Sequence, residues 1–388
     1  MRILWLCRWF GNYRIPVYKE LNRLTNGQFY MAYSKDAVTP LVHRQMRDAL
    51  GDNAIALEKE KHFTIGKLDS NFANSYIDIP YQSGLLNAIS KVNPDIIISD
   101  GFFQWTFAAV LKSYRRKVCV FYERTEFVER NAPKWRILYR KLIGKFIDGF
   151  LINGSLTRKY LDNMGFTQKP KVEGCMVADC EGLSKAVESC PESVKSNLKK
   201  SLDIQDEGLI FLFVGQLVER KGIKELLSGW SEHLNNFPDD TIIVAGQGVL
   251  GKELQNIYKN EKSIKFVGQV SYDHIAEYLA IAEYLAIADI SVMPTLEDNW
   301  SLVVPEAMAC SKPVATTPYN GCHIELIEEG KNGYVFDPLE KSSIVKMLAA
   351  FHNANLSNMG KRSKEIIANY TPLTAATGIF ELCQKITK

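Results

Sequence analysis

Two carboxylates eight positions apart, Asp298 and Glu306, stand in a stretch that reads PTLEDNWSLVVPEAMACSKPVATTP from Pro294 to Pro318. The pattern predicts a strand end at Asp289–Met293, a polar loop, a helix opening near Ser301 and running to Ala309, and a short strand over Pro313–Thr316. A helix N-terminus that follows such a loop is a seat for an anion, because unpaired amides and the helix dipole both favour negative charge. Both acids can then reach one ligand held there. A basic pair, Arg220 and Lys221, stands in Gly215-Gln-Leu-Val-Glu-Arg-Lys-Gly222, between a strand predicted at Leu209–Val214 and a helix from Ile223. A guanidinium grips phosphate oxygens with two parallel donors.

A third glycine-containing turn, Gly246-Gln-Gly-Val-Leu-Gly251, follows a strand predicted over Thr241–Ala245 and satisfies G-x-G-x-x-G. As a dinucleotide fingerprint it needs an acid at the end of the next strand, to hold a ribose. That strand, Ile264–Val267, ends at Gly268 with no acid, so the dinucleotide reading fails. No D-x-D, the usual sequence of a metal-assisted diphosphate site, occurs in the chain, and neither does the G-x-S-x-G of a serine hydrolase.

The stretch from Pro294 to Pro318 resembles the donor-binding signature of family 4 glycosyltransferases, and Gly215–Gly222 is similar to the same family's second signature. The resemblance is specific over about 205–340 and only architectural over 1–180. It implies a GT-B fold, two Rossmann-like doubly wound α/β domains facing a central cleft, and a retaining transfer of sugar from a nucleotide diphosphate with no required metal. Glu306 matches the glutamate that holds the ribose hydroxyls. Asp298 falls where the family has its other glutamate, one methylene longer, and Glu297 beside it is an alternative. The amides of Asn299, Trp300, Ser301 and Leu302 match the loop that approaches the donor's sugar and phosphates. Lys221 matches the diphosphate-binding lysine. Gln216 replaces the arginine usual after Gly215, a charge that Arg220 can restore. Gly246, Val267 and Gly268 correspond to the glycine turn and the backbone that meets the base. Gly11 is all that remains of a glycine-rich loop that faces the donor phosphates in relatives, with Arg8 and Arg14 on either side as alternatives. Glu123, near the end of the strand predicted at Val118–Tyr122, stands where relatives place a histidine, and is an acceptor-side candidate.

The chain has 388 residues, which favours two domains, and no apolar run long enough to span a bilayer. The expected division is a first domain over 1–180, a linker over 181–200 rich in Ser, Glu and Lys, a nucleotide-sugar-binding domain over 201–370, and a helix over 371–388 returning to the first domain. Predicted strands and helices alternate throughout, as a parallel-sheet α/β architecture requires. Strand ends at Asp100-Gly101 and at Tyr122 are site candidates, because ligands gather beyond the carboxyl ends of parallel strands. The run Glu58–Lys61 reads as a solvated face, and residues 34–75 carry little pattern. Two tandem copies of Ala-Glu-Tyr-Leu-Ala-Ile, over 276–287, read as a local duplication that lengthens a helix or bulges a turn.

Eight cysteines without a C-x-x-C pair or a histidine cluster at ligand spacing read as reduced core thiols, which suggests the cytoplasm. Residues 1–180 hold 27 basic and 17 acidic residues, leaving 20 and 27 for the rest. The basic half favours anionic partners, and no nucleic-acid recognition module is present. Residues 134–146 interleave apolar and basic positions at helical spacing, and with Lys112, Arg115, Arg116 and Lys117 they suggest a helix lying on an anionic membrane on the inner face of the cell membrane. The resulting expectation is a hexosyltransferase-type enzyme that takes a UDP-sugar and a glycan or lipid-linked acceptor in bacterial surface polysaccharide synthesis. The alternatives are a nucleotide-sugar epimerase of the same fold and a catalytically silent glycan-binding scaffold, which the Asp298 and Gln216 departures would suit.

Overall fold

The computed structural model describes residues 1–66, 76–103, 105–178, 180–269 and 275–388. Residues 67–75 of the weakly patterned stretch, and Asp179, lie outside the described residues. The chain divides into two compact units, Met1–Asp179 with Tyr370–Lys388, and Cys180–Asn369.

The strands of the first unit are β1 (Ile3–Leu6), β2 (Phe29–Ser34), β3 (Ala54–Leu57), β4 (Glu60–Gly66), β5 (Tyr76–Gln82), β6 (Ile96–Asp100), β7 (Lys117–Tyr122), β8 (Gly149–Ile152) and β9 (Lys171–Val172). Seven of them form a parallel sheet in the order β3-β2-β1-β6-β7-β8-β9, while β4 and β5 pair antiparallel as a hairpin outside it. Helices cover both faces of such a sheet, which is why Ile96-Ile-Ile98 and Val118–Val120 are unbroken apolar runs with every side chain buried. Helix Ile15–Leu24 buries Val17, Tyr18 and Leu21, and helix Pro372–Thr387 packs against it through a face that contains Ala375, Ala376, Ile379, Leu382 and Cys383.

The second unit holds β10 (Ile210–Val214), β11 (Thr241–Ala245), β12 (Ile264–Gly268), β13 (Ile290–Met293), β14 (Val314–Thr316) and β15 (Gly333–Val335). They form a parallel sheet in the order β12-β11-β10-β13-β14-β15. This is the doubly wound order, and it reverses between β10 and β13. In the first unit the corresponding reversal lies between β1 and β6. Loops leaving adjacent parallel strands diverge at these points and open a crevice at the carboxyl ends.

The structure corrects two sequence expectations, the linker and the solvated Glu60, and bears on two more. Residues 181–200 are helices Glu181–Glu188 and Glu192–Ser201, part of the second unit; the first buries Leu183, and both pack on helix Ile275–Ile287. Ser, Glu and Lys suit a solvated helix face as well as a linker, and a few apolar residues between them are enough to dock it. The tandem hexapeptides form one uninterrupted helix, Ile275–Ile287, with Ile281, Ala282, Leu285 and Ile287 buried. Glu60, read as solvated, has a side chain only 2% exposed because the Arg8 guanidinium binds it at 2.9 Å.

Helix Lys134–Gly144 is the fourth. It turns a basic residue inward: Arg140 is fully buried, 2.7 Å from Glu129 and donating to the Tyr160 hydroxyl at 2.9 Å. Arg124 binds the other Glu129 oxygen at 2.9 Å, so two guanidiniums neutralise one buried carboxylate. Burial opposes ionisation of Glu129, yet the charges of Arg124 and Arg140 keep its pKa below the usual value. The space freed outside is apolar, with Trp135, Leu138 and Leu142 exposed at 46%, 70% and 56%.

Candidate functional site

The reversal point of the second unit brings together the basic pair and the first acid of the sequence analysis. After β10 the chain turns at Gly215, passes through a 3-10 turn over Glu219–Lys221 and enters helix Ile223–His233. After β13 it runs through Pro294–Leu302 into helix Val303–Ala309. These loops are fastened by the Arg220 carbonyl, which accepts from Leu296 N–H at 2.8 Å, Glu297 N–H at 3.2 Å and the Thr295 hydroxyl at 2.9 Å. Gly222 makes the approach possible: its φ is +66°, and a Cβ there would stand 1.9 Å from the Pro294 carbonyl oxygen.

So fastened, Lys221 Nζ sits 2.5 Å from Asp298 Oδ2 and Arg220 Nη1 sits 4.0 Å from the same oxygen. Asp298 Oδ1 accepts from the Trp300 N–H at 3.2 Å. Burial works against this carboxylate, but Lys221 above all, then Arg220 and the Trp300 amide, hold its pKa below the usual range. Two cations and an ionised acid thus share one spot at the positive end of a helix.

The loop itself is held by a residue to which the sequence gives no site role beyond a closing turn. Asn320 is fully buried; it forms a parallel bridge with Asp298, accepts from Ser301 N–H at 3.2 Å and donates to the Thr316 hydroxyl at 3.0 Å. Its signal was only an Asn-Gly after a strand, which also marks any turn. Glu297, Trp300 and Ser301 are buried, Leu302 is half-buried, and Asn299 places its Oδ1 in the interior with no hydrogen-bond partner. Glu306 lies on the helix beyond, half-buried in its first turn.

The glycines of the second unit serve close packing of loops. Gly246 N–H donates to the Gly268 carbonyl at 2.7 Å, and Cβ atoms at Gly246 and Gly248 would lie 1.8 Å from Gly215 O and 2.4 Å from Leu217 O. The G-x-G-x-x-G therefore has a structural cause without a dinucleotide. Gln216 is exposed beside this junction, and Val267 and Gly268 end β12, Gly268 with a φ of +82°.

In the first unit the reversal point holds a second half-buried ion pair. Arg14 Nη1 binds Asp100 Oδ2 at 2.6 Å and its guanidinium lies over the Phe121 ring at 4.3 Å; Glu123 is 3.9 Å from Nη2. Asp100 also accepts from Trp5 Nε1 at 2.7 Å and the Cys7 thiol at 2.8 Å. Burial, and then the Asp100 charge, push the Cys7 thiol well up, so it is a packing group and not a nucleophile. Gly11 opens the 3-10 turn Asn12–Arg14, accepting from Arg14 N–H at 3.2 Å. Arg8 is occupied by Glu60 and His62.

An α/β chain of two Rossmann-like units, one with cations gathered where its sheet order reverses, has the GT-B fold. Its likeness to the Anabaena protein Alr3699/HepE, solved in complex with UDP, has a TM-score of 0.74 at 16% identity, covering 99% of this chain and all of the other. Residues 194–369 match the family described as glycosyl transferases group 1. Two relatives are similar in sequence. A glycosyltransferase of Methanocaldococcus jannaschii, MJ1178, is 27% identical over 180 residues, 45% of this chain and 48% of the relative. The sulfoquinovosyl transferase SQD2 of Arabidopsis thaliana is 22% identical over 310 residues, 76% of this chain and 57% of the relative. The chain thus spans about half the length of the curated relatives it matches.

Proposed function

We propose that this protein is a retaining, metal-independent glycosyltransferase that moves a hexose from a UDP-sugar to a lipid-linked or glycan acceptor in bacterial surface polysaccharide synthesis. The reading rests above all on Lys221 and Arg220 meeting Asp298 at the reversal point of the second unit. In the transfer the sugar carbon leaves the phosphate oxygen for an acceptor hydroxyl oxygen, and the diphosphate departs with the electron pair and takes up the hydroxyl's proton. Negative charge then grows where Lys221 and Arg220 stand, and each preorganised donor at such a place contributes a few kcal/mol. Asp298, released from Lys221 by the diphosphate, accepts from a sugar hydroxyl. Glu306 takes the ribose hydroxyls, and the unpartnered Asn299 Oδ1 offers a further acceptor to the donor. Arg8, Arg14 and Glu123 serve the acceptor side.

The exposed Trp135, Leu138 and Leu142 stand at i, i+3 and i+7 on one helix face, between Lys134, Lys141 and Lys145, with Phe107, Leu111 and Tyr114 also exposed on the neighbouring segment. Apolar residues flanked by lysines suit the headgroup region of an anionic membrane. Among the described residues no helix is long and apolar enough to cross one, so contact would be peripheral, at the cytoplasmic face.

The deciding experiment is thermal stabilisation by a panel of nucleotides and nucleotide sugars, with and without EDTA, on the wild type and on Glu306→Ala. Stabilisation by one nucleotide diphosphate, unchanged by EDTA and lost in the variant, is the expected result. Stabilisation by none of them would leave the scaffold alternative.

A further inference from the structure

At the opposite, amino-terminal ends of the second unit's strands, before the first residues of β10 and β11, three side chains from distant parts of the chain meet. His233 ends helix Ile223–His233, Asp240 precedes β11, and His352 lies in a 3-10 turn over Phe351–Asn353, 112 residues beyond Asp240. Both imidazoles aim Nε2 at one oxygen, Asp240 Oδ2, from 2.7 Å and 2.8 Å. The other oxygen is tied down by the Leu209 N–H at 2.8 Å. Phe237 stacks on His352 with centroids 3.7 Å apart and on His233 at 4.9 Å, which fixes both rings.

We propose that His233, Asp240 and His352 bind one divalent cation of the zinc class, which clasps the end of a helix to two strands and to the turn at Phe351–Asn353. The three ligand atoms lie within 4.8 Å of one another. Two imidazole nitrogens and a carboxylate oxygen form a donor set suited to zinc, with a fourth position for water. Two of the side chains are closed off, His233 at 0% and Asp240 at 1% exposure, while His352 at 23% leaves an entry. Around them lie Phe211, Trp230, Phe237 and Phe351, and among the described residues no lysine or arginine is bonded to the carboxylate. His233 Nδ1 is buried with no hydrogen-bond partner. A bound cation offsets the charge of the carboxylate.

Ligand atoms about 2.1 Å from a tetrahedral zinc stand roughly 3.4 Å apart, so the contacts now at 2.7 Å and 2.8 Å must open by about 0.6–0.7 Å on loading. Metal binding also moves the His233 proton to that unpartnered Nδ1. A missing outer hydrogen bond of this kind weakens a metal site by roughly ten- to hundredfold. The site is structural, and stands apart from the loops that carry Lys221 and Asp298.

The test uses the full chain, stripped with chelator and desalted, then titrated with ZnCl2 by calorimetry and with CoCl2 by its visible absorption. The variants are His352→Gln, whose amide can still donate to Asp240, and Asp240→Asn. One equivalent of metal, a tetrahedral cobalt spectrum, a melting point raised by several degrees at a hundredfold excess over Kd, and at least tenfold weaker binding by His352→Gln are expected. Metal bound equally well by His352→Gln and Asp240→Asn would overturn the proposal. So would no binding by the wild type, in which case the three residues are a hydrogen-bonded clasp only. UDP stabilisation, read in parallel, should be the same for wild type and His352→Gln, which keeps this outcome separate from that of the donor site.

Discussion

Replacing Asp298 by Asn should tighten the binding of UDP while it weakens the fold. In the ligand-free protein Lys221 Nζ is 2.5 Å from Asp298 Oδ2, with side chains only 12% and 14% exposed, and Arg220 Nη1 is 4.0 Å from the same oxygen. A diphosphate arriving at Lys221 must displace that carboxylate. A hydrogen bond to a charged group contributes about 1.5–3 kcal/mol. Asparagine keeps the oxygen that accepts the Trp300 N–H and removes only the competing charge. If about half of the interaction is recovered by the incoming phosphate, affinity rises by about 1.4 kcal/mol, or tenfold. Folding stability falls by about 2 kcal/mol, because two cations then face each other in a partly closed site. Calorimetry with UDP at fixed ionic strength reads the first quantity and urea unfolding the second, while sugar transfer should decline because the group that orients the donor sugar has lost its charge. Unchanged or weaker UDP binding combined with the loss in stability would refute the reasoning, and would make the Lys221–Asp298 pair a purely structural bridge.

Gly222→Ala drives a Cβ into the Pro294 carbonyl and holds alanine at φ +66°, so it should cost about 3 kcal/mol or more in urea unfolding and abolish UDP stabilisation by prising the two loops apart. Arg140→Met leaves the buried Glu129 with Arg124 alone and should destabilise the first unit by about 3 kcal/mol, while adding Glu129→Gln should recover most of the loss. Asp298 and Glu129 both have pKa values held below their usual 3.8 and 4.5, so their contribution is complete above those values and is lost as pH falls through the lowered native ones; stability measured from pH 6 down to 2 should drop below about pH 4.5, less steeply in Asp298→Asn. Leu138→Glu with Leu142→Glu should reduce co-sedimentation with anionic vesicles by at least tenfold and leave UDP binding unchanged; equal sedimentation would remove the membrane reading.

The strands were legible because a parallel sheet covered on both faces leaves long apolar runs, such as Ile96-Ile-Ile98, that have no other use. The basic pair and Asp298 were legible through motifs that the family shares. What escaped was decided by partners far off in the chain. Arg140 reads as solvated until Glu129 and Tyr160 are seen around it, and Glu60 reads so until Arg8 arrives from the end of β1. His233, Asp240 and His352 have no common spacing, since helix, strand and turn bring them together only after the sheet has formed. Asn320 is a turn residue by composition and an anchor by position.

The helix Pro372–Thr387 belongs to the first unit although the whole of the second is written before it. Seen as an order of synthesis, Cys180–Asn369 is an insert, and the ribosome finishes it while the sheet of β1 to β9 still lacks the cover that lies against helix Ile15–Leu24. The usual sequence of folding, amino-terminal domain first, is therefore reversed at its final step. A nascent chain halted near Asn369 should carry a protease-resistant second unit and a first unit still open to cleavage. Removing residues 372–387 alone would then damage the part of the protein that was translated first.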